Sequence, residues 1–131
     1  MLERKLLDPT RVRKIQGSFS WVDHRLITGG FLSDLSAIEI LLYLFLVAVC
    51  DRSGISFYHQ DKIASLLKID LASLGKARQG LIQRSLLAYE PPLYQVLSLP
   101  PRPIAPLPPE DIMARQRQTS LQAIRKIQEA L

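Results

Sequence analysis

The sequence predicts a mainly helical α+β domain that closes with a small β-hairpin, and three observations support this. A long apolar stretch with a helix-start signal covers residues 37–51. Two shorter helical patterns follow, with only residues 68–70 between them, and two strand patterns then flank a proline-containing turn. The 131 residues, 47% of them hydrophobic, suffice for one such domain with an extension at one end. We place the domain at residues 31–99.

Residues 1–30 are predicted to form an N-terminal extension that packs on this domain. A basic cluster follows Pro9 and comprises Arg11, Arg13 and Lys14. Three apolar side chains, those of Trp21, Leu26 and Ile27, are expected to contact the domain. Two consecutive glycines at residues 29–30 predict an interruption of regular secondary structure before the first long helix begins.

The first long helix begins with a capping box, because Ser36 is followed three residues later by Glu39. The run from Ala37 to Asp51 is apolar on nearly every side. A helix with so little polar surface must either lie at the centre of the core or be covered by the N-terminal segment. A turn at residues 51–54 and a short strand at residues 55–58 complete this part of the chain.

Two helices and a tight turn come next. A short amphipathic helix from His59 to Leu67 is followed by the turn Lys68-Ile69-Asp70, and Asp70 is suited to cap a second helix over residues 71–85. That helix carries two glycines, each of which costs about 1 kcal/mol relative to alanine, so we expect another part of the molecule to approach it closely. Its buried side is predicted to comprise Leu74, Ala77, Leu81 and Ile82.

Strands at residues 86–89 and 94–97 form the predicted hairpin, joined by Glu90-Pro91-Pro92-Leu93. Six of the ten residues from Pro100 to Pro109 are proline, which indicates an extended linker. A C-terminal helix is predicted over residues 110–131, as an element that docks on a protein partner or forms a dimer. Its apolar positions are Ile112, Ala123, Ile124, Ile127 and Leu131.

The order of these elements, and the pieces Leu66-Leu67, Lys68-Ile69-Asp70 and Leu86-Leu87, resemble the winged helix-turn-helix of bacterial regulators. The stretch from Trp21 to Leu26 and the strand Ser56-Phe57-Tyr58 are similar to small helix-turn-helix proteins of bacterial mobile elements. A more distant similarity is to the N-terminal domain of DnaD-type replication proteins. The resemblance implies binding of double-stranded DNA in transcriptional regulation, or in the replication or transposition of a mobile element.

Under this hypothesis the helix over residues 71–85 enters the major groove. The side chains expected to face the groove are Ser73, Lys76, Gln79 and Gln83, because Gln pairs with adenine and Lys reaches guanine or phosphate. Arg78 and Arg84 flank this face and are predicted to contact phosphates. The cluster Arg11, Arg13 and Lys14 either adds phosphate contacts as an arm or is a solvated charge run. The hypothesis requires this helix to keep its polar side exposed.

The alternative function is a protein-interaction module. The turn of the hairpin, which would be the tip of the wing, carries Glu90 and no basic residue, and the helix over residues 71–85 carries few cations. A net charge of +5 and a pI near 9.7 favour polyanionic partners. No nucleophile motif, phosphate-binding loop or metal-ligand spacing accompanies the two histidines, so neither an enzyme nor a cofactor is expected. The longest uncharged apolar run has 11 residues, so we predict a cytoplasmic bacterial protein, and a homodimer is plausible.

Overall fold

A computed structural model describes residues 4–105 of the chain. Within this range the chain forms four α-helices and three β-strands, with 3-10 turns at Pro9–Arg11 and Leu32–Asp34. The elements are α1 (Arg25–Thr28), α2 (Ala37–Val49), β1 (Ile55–Phe57), α3 (Gln60–Leu67), α4 (Leu71–Gln83), β2 (Leu87–Glu90) and β3 (Leu93–Val96). The mainly helical α+β class is confirmed. The C-terminal helix predicted at residues 110–131 lies outside the described residues.

Helix α2 begins with the predicted capping box. The Ser36 hydroxyl accepts a hydrogen bond from the Glu39 N–H at 3.2 Å, and the Glu39 carboxylate accepts one from the Ser36 N–H at 2.8 Å. These two bonds satisfy backbone donors that have no partner inside the helix. Leu42 and Leu46 are fully buried, and this side of α2 packs against α4.

Helices α3 and α4 are joined by a turn at residues 68–70. Lys68 adopts the left-handed conformation, with φ of 57°, and ends α3. The Asp70 carboxylate then accepts a hydrogen bond from the Ser73 N–H at 2.6 Å and starts α4. The predicted N-cap is therefore confirmed, and the two helices joined by this turn pack against each other.

The three strands form one antiparallel sheet in the order β1-β3-β2. Tyr94 on the central strand pairs with Ser56 on one side and Tyr89 on the other, and it is almost completely buried. Gly54 precedes β1 with φ of 85°, and a Cβ atom there would collide with the carbonyl of Val96. This sheet, together with the helix order, is compatible with a winged helix-turn-helix.

The N-terminal extension contributes less to the core than its sequence suggests. Leu26 is buried, as expected, but Trp21 and Ile27 are 82% and 72% exposed, so neither joins the core, and Trp21 meets the domain only in a groove that it lines with Tyr43 and Val47. The reason is that α1 is a single turn, which buries one side chain and leaves its neighbour outside. Trp21 lies in a segment without regular structure, which meets α2 through the hydroxyl of Ser20.

Each helix within residues 4–105 is too short or too polar to cross a lipid bilayer.

Candidate nucleic-acid interface

Helix α4 has one buried side and one open side. Leu74, Ala77 and Leu81 are buried against α2, α3 and the hairpin. Their spacing of three and four residues places them on one side of an α-helix. Three of the four predicted core positions are thus buried, and Ile82 at the edge is half-buried.

The open side of α4 is a stripe formed by Ala72, Lys76, Gln79 and Gln83, spaced by four, three and four residues. We call it the α4 polar stripe. Ala72, Lys76 and Gln79 are exposed, and Gln83 is half-buried at the last turn. Within residues 4–105 the side chains of Lys76 and Gln79 make no hydrogen bond or ion pair, so their polar groups remain available to a ligand. The requirement that this side stay exposed is met among the described residues.

Ser73 belongs to the cap of α4 more than to the α4 polar stripe. It is half-buried, and its hydroxyl and N–H both face the Asp70 carboxylate. The side-chain hydrogen bond from Ser73, followed by its backbone hydrogen bond, lowers the pKa of Asp70 below its usual value. The carboxylate is therefore ionised at neutral pH, at the helix end where negative charge is stabilising.

Arg78 is held against the hairpin. Its guanidinium donates a hydrogen bond to the Tyr94 hydroxyl at 3.2 Å and lies 4.3 Å from the centre of the Tyr89 ring. The two tyrosine rings are themselves in contact, with centroids 4.5 Å apart. Burial raises the pKa of Tyr94, and the Arg78 guanidinium opposes that rise. Arg78 thus joins α4 to β2 and β3, and only the part of its guanidinium left uncovered could reach a phosphate.

Arg84 occupies a position that the sequence did not predict. Its guanidinium donates to the Glu39 carboxylate at 2.6 Å and to the Asp34 carbonyl at 3.0 Å. The side chains of Arg84 and Glu39 are only 14% and 11% exposed. The Arg84 guanidinium is therefore engaged in an ion pair that joins α4 to α2, which leaves little of it exposed for the predicted phosphate contact.

Gly80 explains the close approach that its sequence position suggested. A Cβ atom at Gly80 would collide with the carboxylate of Glu39, which lies over this part of α4 on its way to Arg84. Gly75 has no such neighbour, since a Cβ there would meet only the Arg78 guanidinium at 3.8 Å. The expectation of close approach is thus correct for one glycine of the two.

The wing and the N-terminal cluster add little positive charge to the α4 polar stripe. The hairpin tip, Glu90-Pro91-Pro92, is exposed and carries an acid. Arg11, Arg13 and Lys14 are exposed, and the hydrogen bonds of that segment within the described residues are local ones at Asp8. No described contact brings this cluster to α4.

The exposure of the outer side of α2 was likewise not predicted from the sequence. Its outward positions Ala37, Leu41, Leu44 and Ala48 are all apolar and all exposed, with Leu44 at 57%. The sequence predicted that α2 is central or covered, and within residues 4–105 this side is neither. The signal was present, because the run has no charged outward position.

Residues 4–105 contain no group of three or more His, Cys, Asp or Glu side chains that could hold a metal ion. Comparison with protein-family models, with curated proteins and with solved structures gives no match. The function must therefore be argued from the geometry of the molecule.

Proposed function

We propose that this chain is a winged helix-turn-helix protein that binds double-stranded DNA by inserting α4 into the major groove. The observation that carries the proposal is the α4 polar stripe, which is exposed on the second helix of a helix-turn-helix. Its side chains are small or flexible and hydrogen-bonding, and they follow a capped, rigid helix start. In helix-turn-helix proteins the corresponding positions meet base edges.

The composition of the stripe assigns different roles to its members. Lys76 is the cation that would reach a guanine or a phosphate, and Gln79 can pair with adenine through two hydrogen bonds. Ala72 lets the first turn of α4 lie deep in the groove. Since Arg84 is bound to Glu39 and Arg78 is partly covered by Tyr89, few phosphate contacts come from this helix. The exposed cluster at Arg11, Arg13 and Lys14 would supply more, as an N-terminal arm.

The biological process that fits such a protein is transcriptional regulation, or the replication or transposition of a mobile element in a bacterial cytoplasm. This part of the proposal comes from the sequence resemblance and from the net charge of +5.

A protein-interaction module is the second candidate, and specific observations favour it. The tip of the hairpin, Glu90-Pro91-Pro92, is acidic. The outer side of α2 is apolar, whereas protein surfaces that bind DNA are positively charged. In that case the α4 polar stripe would be an ordinary solvated surface.

Salt-dependent DNA binding by the full chain separates the two candidates. Fluorescence anisotropy with a labelled duplex, measured from low to physiological salt, should show affinity that falls steeply with salt concentration. Lys76→Ala should weaken binding several-fold at low salt and reduce the log–log salt slope by about 0.9, the value for one lost phosphate contact. If Lys76 contacts a base instead, the slope will stay and the sequence preference will relax.

Arg52→Ala is the matched control, because Arg52 is an exposed cation in the turn before β1, outside α4. It should leave affinity close to that of the wild type. Gln79→Ala, tested on duplexes selected from a random pool, should alter the preferred sequence. Absence of duplex binding at low salt, or equal losses in Lys76→Ala and Arg52→Ala, would reject insertion of α4.

A further inference from the structure

The outer side of α2 has features of a contact surface between two copies of the chain. We call the set Ala37, Leu41, Leu44 and Ala48 the α2 apolar stripe. Helical spacing of four, three and four residues aligns them on one side of the helix, opposite the buried Leu42 and Leu46. Exposed stripes of this kind mark interaction sites more often than scattered single apolar residues do.

We infer that the α2 apolar stripe binds the same stripe of a second copy, with the two α2 helices antiparallel. The order of side chains along the stripe is small, large, large, small, and it reads the same in both directions. A two-fold axis between Leu41 and Leu44 therefore sets Leu41 against Leu44 of the partner copy and Ala37 against Ala48. A surface that complements itself is what a symmetric dimer requires.

The stripe also lacks any feature that would select a charged partner. None of its four members is polar. The capping carboxylate of Glu39 lies on the opposite side of α2 and forms an ion pair with Arg84. An acidic or basic partner would gain no ion pair here. Facing leucines with alanines at the ends suit close helix packing at an axis separation of about 8–10 Å.

Two exposed aromatic side chains lie in the segment that meets the C-terminal end of α2, where Trp21 lines a groove with Tyr43 and Val47. Ser20 is held there, because its hydroxyl donates long hydrogen bonds to the carbonyls of Ala48 and Cys50, at 3.5 Å and 3.4 Å. Its neighbours Phe19 and Trp21 are 69% and 82% exposed. Antiparallel pairing brings this end of one α2 beside the N-terminal end of the other, where these rings could fold over the partner helix.

The area available is enough for a weak dimer. One side of a 13-residue helix offers roughly 200 Å². Closure of both aromatic side chains over the partner helix adds about 300 Å². The pair of subunits would then bury about 1,000 Å² in total, which is the threshold for a specific interface. The dimer should consequently dissociate at micromolar concentration rather than persist at all dilutions.

Light scattering of the full chain tests the oligomeric state directly. The wild type should change from dimer to monomer mass on dilution through the micromolar range, and Leu44→Glu should be monomeric throughout. Leu66→Glu is the matched control, because Leu66 on α3 is 51% exposed, close to the 57% of Leu44, yet lies outside the stripe. It should keep the wild-type mass. Circular dichroism should show both variants folded.

Cysteine cross-linking tests the antiparallel arrangement. In a Cys50→Ser background, Leu44→Cys places two cysteines about 6–7 Å apart between Cα atoms, within the range that a disulfide can span, and oxidation should yield covalent dimer. Ala37→Cys places them more than about 15 Å apart along the helix axes, so it should yield none.

A wild type that stays monomeric at hundreds of micromolar, or a Leu44→Glu variant that remains dimeric, would overturn the inference. Cross-linking through Ala37→Cys would reject the antiparallel pairing. The result is independent of the proposed DNA binding, because α2 and α4 pack by their buried sides and a second copy on α2 leaves the α4 polar stripe open.

Discussion

Helices α2 and α4 make an informative comparison, because they have the same length and nearly the same geometry but opposite outer surfaces. Each has 13 residues, begins at a side-chain cap and packs its buried side against the other. Each also has an outward stripe with the same four-three-four spacing. On α2 the stripe is apolar throughout, and on α4 it carries a lysine and two glutamines.

The buried sides of the two helices serve the same structural role, whereas their outer sides differ in the chemistry they offer to a partner. The buried leucines of the two helices have the same role, since Leu42 and Leu46 on α2 are fully buried in the core, as Leu74 and Leu81 on α4 are. The outer stripes share no such requirement. A polar stripe suits the donors and acceptors of base edges, whereas an apolar stripe suits another apolar surface.

The ion pair that joins the two helices gives the largest expected effect. Arg84→Ala should lower the free energy of unfolding by about 3 kcal/mol, because it leaves the Glu39 carboxylate buried without its partner. Urea denaturation followed by circular dichroism measures this change.

Two further variants sharpen that result. The double variant Glu39→Gln, Arg84→Met removes both charges and should recover a large part of the loss, since no unpaired charge remains. Arg52→Ala, at an exposed position, should change stability by less than about 0.5 kcal/mol. A loss below about 1 kcal/mol for Arg84→Ala would mean that the pair does not hold α4 to α2.

The ion pair between Arg84 and Glu39 also shows which kind of feature the sequence alone does not predict. The caps at Ser36 and Asp70, the bounds of α2, α3 and α4 to within two residues, and the strands were all predictable, because their signals are local. Arg84 was predicted to contact phosphate, and its partner Glu39 lies 45 positions away, in a helix whose orientation no local pattern specifies. The exposure of Trp21 could not be predicted for the same reason.

The two glycines of α4 give an intermediate effect of opposite sign. Gly80→Ala should destabilise the protein by about 1–2 kcal/mol, because the new methyl group displaces the Glu39 carboxylate, which cannot move without leaving Arg84. Gly75→Ala should stabilise it by about 0.5–1 kcal/mol, since alanine favours the helix and its Cβ meets only ordinary contact.

Each glycine variant serves as the control for the other, because the substitution and the helix are the same and only the neighbour differs. Thermal unfolding should give a transition temperature above the wild type for Gly75→Ala and below it for Gly80→Ala. Stabilisation by both variants would show that α2 approaches α4 less closely than the Glu39 contact indicates.

The candidate site was predictable in part for the same physical reason as the fold. Lys76, Gln79 and Gln83 follow from helix periodicity once Leu74 and Leu81 are assigned to the core. Whether a cation beside the stripe is free depends on distant residues. Arg78 meets Tyr94 on a strand and Arg84 meets Glu39 on another helix, and neither contact has a signal in the neighbouring sequence.

The smallest expected effect is a difference in how the stability contributed by the Asp70 cap of α4 and by the Ser36 cap of α2 depends on pH. Asp70 caps α4 as a carboxylate whose folded pKa is lowered by the Ser73 hydroxyl and N–H, whereas Ser36 caps α2 through a hydroxyl that does not titrate in this range. A carboxyl group with a lowered pKa contributes stability above its unfolded pKa of about 3.9, and this contribution is lost as the pH falls through the folded pKa.

Asp70→Ala should therefore destabilise the protein at neutral pH, and its difference from the wild type should shrink below about pH 4. Asp70→Asn keeps a hydrogen-bond acceptor without a charge, so it should be milder at neutral pH and should approach the wild type in acid. Urea denaturation of the three proteins at neutral and acidic pH makes the comparison, in which the other carboxyl groups cancel. A difference between Asp70→Ala and wild type that is the same at both pH values would mean that the carboxylate charge plays no part in starting α4.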